Sequence, residues 1–172
     1  MPNWVTNTLK IEDTPAGKIL ADFLASCITN DGSFMPVVRP FPAEGHHLVN
    51  AGGAEFYAFN TEFQGLEEGQ IDGREWAHQN WGTKWGDCNT ERLDELVFGF
   101  DTAWGFSMEG ILALSAVIPE AVFTVYAIEE QPCFVCKYKF TAGQAEAVFH
   151  INDYGDLQDG KYPGVDSDMV LS

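Results

Sequence analysis

Two pairs of residues in this chain have the side chains from which metal or redox sites are built. Cys133 and Cys136 form a C-x-x-C pair, which lies on a tight turn in a zinc ribbon and starts a helix in a redox protein. The pattern here is that of a strand, which directs side chains three positions apart to opposite faces. His46 and His47 are adjacent, a poor geometry for chelating one ion. The sequence therefore predicts no metal site.

Sequence motifs of the common enzyme classes are absent. The chain contains no Gly-x-Ser-x-Gly, no phosphate-binding loop and no dinucleotide-binding fingerprint. Its carboxylates are so numerous that the proximity of any two would carry little information about acid and base catalysis. We therefore predict no catalytic residue and no cofactor, and nothing in the sequence supports an enzyme.

The densest aromatic segment runs from Trp76 to Trp85 and holds three of the five tryptophans. Such large side chains either lock two elements together or line a groove. In the first interpretation they pack an inserted segment onto a sheet; in the second they bind an apolar or aromatic element of a partner and are ringed by acidic residues. For the second interpretation the candidate binding residues are Glu75, Trp76, Trp81, Trp85, Asp87, Glu91, Asp94, Glu95, Asp101 and Trp104.

The chain is strongly acidic, since 9 basic and 26 acidic residues give 9 − 26 = −17. Direct binding of nucleic acid is not expected, because polyphosphate requires a basic surface. Eleven carboxylates lie in residues 61–110, against three basic side chains there. This charge is interpreted either as a means of solubility or as an acidic face for a basic partner surface.

No run of about 20 apolar residues is present to span a bilayer, and the amino terminus lacks a basic segment followed by an apolar one. The sequence predicts a cytoplasmic protein without a membrane partner. The four cysteines would then stay reduced.

Hydrophobic spacing predicts the elements that position these residues. Residues 5–11 alternate as a strand, and a helix capped by Thr14 follows to about Ile28. After a turn near residues 87–91, residues 93–104 predict the strongest strand, and Ser107 is expected to cap a second helix. Further strands are predicted at residues 122–128, 134–140 and 146–151.

In this order the elements predict an α+β, ferredoxin-like split βαβ sandwich, with an antiparallel sheet and two helices on one face. Additional strands follow at the carboxyl end. Residues 1–151 form a single domain, interrupted by a long insertion at about 30–75 that is rich in proline and glycine. Residues 152–172 are predicted to be an acidic tail.

Four segments resemble the YubB-like family of ferredoxin-like domains carried by bacteriophages and plasmids. They are Met-Pro-Asn-Trp at 1–4, Arg-Pro-Phe-Pro-Ala-Glu at 39–44, the tryptophan segment at 76–85 and Phe-Asp-Thr-Ala-Trp at 100–104. The chain departs from the family's pattern at Val5, at residues 40–42 and at residues 105–106. The resemblance implies a fold and a mobile-element setting, but no chemistry.

Three functional hypotheses follow. The first is a non-enzymatic, mobile-element-encoded protein that binds a host protein through an acidic surface, and so inhibits a complex that normally holds nucleic acid, such as a defence complex. The second is a small-ligand-binding or enzymatic domain with a groove beside the tryptophans. The third is a structural or oligomeric module, although the sequence does not determine an oligomeric state.

Overall fold

The computed structural model describes residues 2–40, 49–51, 54–56, 73–131 and 133–152. Most of the predicted insertion, the His46–His47 pair and the tail from residue 153 lie outside the described residues. The described helices are α1 (Pro15–Asp31), α2 (Met35–Val38), α3 (Gly73–Asn80) and α4 (Met108–Ser115). The described strands are β1 (Trp4–Ile11), β2 (Val49–Ala51), β3 (Ala54–Phe56), β4 (Cys88–Asp94), β5 (Val97–Ala103), β6 (Val122–Glu129), β7 (Val135–Thr141) and β8 (Gln144–Ile151).

Six strands form an antiparallel sheet in the order β4-β5-β1-β6-β7-β8, and β2 pairs with β3 separately. Since β4 and β1 both run antiparallel to β5, they are parallel to each other, with β5 between them. By the same reasoning β5 and β6 are parallel and flank β1. The chain passes through α1 between β1 and β4, and through α4 between β5 and β6. The predicted α+β class and antiparallel sheet are confirmed.

The main core packs against one face of this sheet, as the strand alternation requires. In β1 the odd-numbered residues from Val5 to Ile11 are buried, while Thr6 and Lys10 lie exposed on the other side, which we call the outer face. The helices contribute buried apolar side chains to the same cluster as the strands. Its members include Leu9, Leu20, Leu24, Trp81, Phe98, Phe100, Ile111, Leu114, Phe123 and Phe140.

The prediction of one long strand at residues 93–104 was wrong. The structure places a turn at Glu95 and Leu96, and the predicted turn at residues 87–91 lies largely in β4. Side chains build this turn: Asp94 Oδ1 accepts a hydrogen bond from the Glu95 amide at 2.8 Å, and Arg92 Nη2 donates to the Glu95 carbonyl at 2.6 Å. No glycine or proline marks it.

The two predicted helix caps differ. Thr14 Oγ1 accepts a hydrogen bond from the Gly17 amide at 2.9 Å, which confirms the first cap. Ser107 occupies the position before α4, but its side chain makes no capping hydrogen bond. Its buried hydroxyl has no hydrogen-bond partner among the described residues. The start of α4 is instead held by a hydrogen bond from the Gly110 amide to the Trp81 carbonyl at 3.1 Å.

Gly82 is predicted to be intolerant of a side chain. Its φ is +76°, and a Cβ there would meet a Glu109 carboxylate oxygen and the backbone of Ser107. We expect Gly82→Ala to lower the free energy of unfolding by about 1–2 kcal/mol or more, measured by urea denaturation. Gly105→Ala is the control, because no atom lies within 4 Å of a Cβ there. Equal stabilities of the two variants would contradict the assignment.

Candidate functional site

Trp81 is a core residue that ties several elements together. Its side chain is 0% exposed and meets Trp76 edge to face, with ring centroids 5.1 Å apart. Its indole Nε1 donates to the Arg39 carbonyl, at the end of α2, at 2.9 Å. Its own carbonyl accepts from the Gly110 amide of α4 at 3.1 Å. Trp81 therefore holds α2, α3 and α4 in place and has no surface to offer a partner.

Asp87 is also buried, with 4% of the residue exposed. Its carboxylate accepts hydrogen bonds from the Phe34 and Met35 amides, at 2.9 and 2.8 Å, and from the Thr90 hydroxyl. These bonds fix the start of α2 against β4. Burial raises the pKa of the Asp87 carboxyl, and the three hydrogen bonds oppose that change. Asp87 thus has a structural role. The sequence does not show this role, because there Asp87 is one of many acidic residues in the same segment.

The raised pKa gives a pH dependence of stability. A carboxyl that is harder to ionise in the folded state stabilises the fold most below its unfolded pKa, about 3.8, and loses that contribution as pH rises through its folded pKa. We expect the stability of the wild type relative to Asp87→Asn to fall as pH rises from about 3.5 to 7, measured by urea denaturation. Asp22→Asn, on the exposed side of α1, is the control. A rise with pH would show that the hydrogen bonds outweigh desolvation.

Trp4 and Trp85 form a half-buried aromatic pair where β1 begins. Their ring centroids are 5.9 Å apart at an interplanar angle of 45°. The Lys84 ammonium lies 4.8 Å from the centroid of the Trp85 ring, within the range of a cation–π contact. The loop that carries both residues is held to β5, because the Thr83 hydroxyl donates to the Ala103 carbonyl at 2.9 Å. The pair is thus positioned by the sheet.

Trp104 is the most exposed of the candidate tryptophans, since Trp81 is buried and Trp76 and Trp85 are half-buried. It is 55% exposed, and its φ of +73° lies in the left-handed region. Such a backbone costs about 1–3 kcal/mol for a residue other than glycine. Its backbone amide donates to the carbonyl of Asn3, the residue before Trp4, at 2.9 Å. This hydrogen bond holds the Trp104 backbone next to the start of β1. An exposed indole on a strained backbone is the combination expected of a contact residue.

The opposite end of the outer face carries an acidic groove of about 530 Å³. Its lining includes four carboxylates, from Glu12, Asp13, Asp94 and Glu95, together with Lys10. The end of β1 lies beside the β4–β5 turn because the Ile11 amide donates to the Leu96 carbonyl at 2.8 Å. Glu12 and Asp13 were missed by the sequence analysis, although the pairing of β1 with β5 brings them here.

Nine of the ten predicted candidates separate into three groups of three. Trp76, Trp81 and Asp87 belong to the packing of α2 and α3. Trp85, Asp101 and Trp104 lie near the start of β1, where Asp101 Oδ2 accepts from Asn89 Nδ2 at 3.0 Å. Glu91, Asp94 and Glu95 are exposed on the β4–β5 hairpin, and Glu75 is exposed on α3. The described groove has no tryptophan in its lining, so it is distinct from a groove beside the tryptophans.

The two cysteines do not share a strand, contrary to the expectation from the sequence. Cys136 is buried in β7, and burial raises the pKa of its thiol to about 12, whereas Cys133 is exposed before the strand. In the part of the chain that the structure describes, no three His, Cys, Asp or Glu side chains are placed to hold a metal ion. None of the helices within the described ranges has the length and apolar composition needed to cross a membrane.

Comparisons of the chain with protein-family models, curated proteins and solved structures found no match. The resemblance of its tryptophan segment to the YubB-like family therefore stays a prediction.

Proposed function

We propose that this protein is a non-enzymatic binding domain whose partner is a host protein with a basic surface. The observation that carries the proposal is the exposure of three carboxylates that form no ion pair within the described residues, those of Glu91, Asp94 and Glu95. All three lie on one hairpin. The hairpin carries these three carboxylates against one basic side chain, Arg92. A concentrated net charge of one sign attracts a surface of the other sign and accelerates encounter.

The groove beside this hairpin adds to the acidic surface. Glu12 and Asp13 join Asp94 and Glu95 in its lining, although each of the first two has one lysine nearby. Glu12 Oε1 lies 3.6 Å from Lys139 Nζ, and Asp13 Oδ1 lies 3.5 Å from Lys18 Nζ. These are exposed pairs, which contribute little and exchange readily. A basic partner can therefore compete for both carboxylates.

Trp104 supplies the apolar component that an acidic surface alone lacks. Charged rims mainly set encounter rates, whereas buried aromatic residues supply most of the binding free energy in protein interfaces. With more than half of its surface exposed, Trp104 has area to bury in a partner. In this proposal the acidic hairpin steers the partner and Trp104 slows its release.

We further propose that the chain is a ferredoxin-like domain of the YubB-like type. Support comes from the two pairs of parallel strands, each separated by one strand and connected through a helix, since this is the split βαβ arrangement. The mobile-element setting of that family favours a target in the host cytosol. A host complex that binds nucleic acid, such as a defence complex, would present the required basic face.

Competition with nucleic acid tests the proposed function. Wild-type protein is immobilised and exposed to host extract, and retained proteins are challenged with a 20-base-pair DNA duplex. We expect one basic protein to be retained and then released by the duplex, while the immobilised protein itself binds no DNA. Retention that is indifferent to excess duplex would contradict occupation of a nucleic-acid site.

A further inference from the structure

We propose that Trp4, Trp85 and Asp101 form a binding site for an arginine side chain of the partner, and that Lys84 occupies this site in the free protein. This inference rests on the proposed function, since it names the chemistry by which a basic partner is recognised. It concerns the start of β1 and the end of β5, at the opposite end of the β4–β5 hairpin from the turn that carries Asp94 and Glu95. Six residues of extended strand, about 20 Å, separate Trp4 from Lys10 at the acidic groove.

The sheet register brings the three residues to one place. In β1, Trp4 and Thr6 both lie on the outer face, because they are two positions apart. Thr6 pairs directly with Asp101 of β5. Residues diagonally opposite on an antiparallel pair lie about 7–8 Å apart and interact through long side chains. Trp4 and Asp101 have this relation. Cys88 pairs with Asp101 from the other side, so the chain carrying Trp85 enters β4 beside the same carboxylate.

Lys84 shows that this aromatic pair attracts a cation. Its ammonium lies 4.8 Å from the centroid of Trp85, although the side chain could extend into water. Among the described residues Lys84 forms no ion pair that would explain its position. Its cation–π contact with the Trp85 ring therefore explains its position. A contact of this kind at a half-exposed site is worth only about 0.5–1 kcal/mol, so a stronger cation can replace it.

Arginine fits the vacated position better than lysine does. Its planar guanidinium stacks on aromatic faces and donates two parallel hydrogen bonds to a carboxylate. Asp101 Oδ2 accepts a hydrogen bond from Asn89. Within the described part of the chain Oδ1 accepts none, so it can accept one from a ligand. An ammonium on Trp85 offers neither the planar stack nor the paired donors. The site should therefore discriminate between the two basic side chains.

Titration of the whole protein with hexa-arginine and hexa-lysine peptides tests the site, observed through the indole N–H resonances. We expect hexa-arginine to bind more tightly and to perturb Trp4 and Trp85 most. Lys84→Met should tighten hexa-arginine binding by about 3- to 10-fold, since it removes the competing cation. Asp101→Asn and Trp85→Leu should each weaken it by a similar factor. Lys18→Met is the matched control, because it removes one positive charge on α1 without changing the aromatic pair.

Three outcomes would overturn the site. They are equal tightening by Lys84→Met and Lys18→Met, equal binding of the two peptides, and perturbation confined to other tryptophans.

Failure of this site is distinguishable from failure of the proposed function. If only the arginine site is wrong, partner capture still depends on Glu91, Asp94 and Glu95 and is still released by DNA. If the proposed function is wrong, the captured protein resists DNA even though peptide binding follows the Lys84 and Asp101 variants.

Discussion

Trp81→Ala is expected to lower the free energy of unfolding by about 3–5 kcal/mol, the usual range for truncating a large buried aromatic residue. The side chain is fully buried, packs edge to face on Trp76 and donates to the Arg39 carbonyl. The substitution leaves a cavity and also removes the donor for that carbonyl. Urea denaturation followed by circular dichroism measures the change.

Trp104→Ala is the matched control for this prediction. It removes the same indole from a position that is 55% exposed and has a φ of +73°. We expect its effect on stability to stay within about 1 kcal/mol, as for most surface substitutions. The effects on partner binding should be reversed. When only folded protein is compared, Trp104→Ala should weaken binding more than Trp81→Ala does. Comparable losses of stability would show that Trp104 is part of the core.

The packing of Trp81 also matters for function because it holds the segment that displays the candidate contact residues. The loop after Trp81 is tied to β5 by Thr83 and to α4 through the Gly110 amide. Lys84 and Trp85 follow directly and reach the outer face. The two interpretations of the tryptophan segment are thus compatible: its first part packs, and its last part lies at the surface.

Local patterning was enough to predict the elements whose signals are periodic. The alternation at residues 5–11 predicted β1, and Thr14 followed by Pro15 predicted the start of α1. The β4–β5 turn could not be predicted in this way, because Asp94 and Arg92 form it through hydrogen bonds of their side chains. Alternation that continued through Glu95 made the turn look like strand.

The candidate site was harder to predict because its parts are distant in the sequence. Asp87 looked like one more exposed acid, and only the approach of the Phe34 and Met35 amides shows that it is buried. Glu12 and Asp13 join Asp94 and Glu95 through pairing across more than 80 positions. Trp4 was recognised as part of a motif, but its contact with Trp85 depends on tertiary structure.

Replacement of Glu91, Asp94 and Glu95 by the corresponding amides is expected to slow association with the captured partner on the order of tenfold at low salt. The three side chains are exposed, and rim charges act mainly on encounter rates. Dissociation should change less. Wild-type association should also weaken steeply between low and physiological salt, because the screening length falls to about 8 Å at 0.15 M. Surface plasmon resonance over a series of salt concentrations measures both effects.

The asparagine that replaces Asp94 keeps a side-chain oxygen that can accept the hydrogen bond from the Glu95 backbone N–H. The turn and the melting temperature should therefore be preserved. The matched control replaces the exposed residues Asp22, Glu120 and Glu130 by amides, which removes the same net charge elsewhere. We expect it to slow association less, because screening confines steering to charges near the contact surface. Equal slowing by both variants would mean that total charge, rather than this hairpin, guides the partner. Association that is indifferent to salt would leave Trp104 and the aromatic pair as the basis of binding.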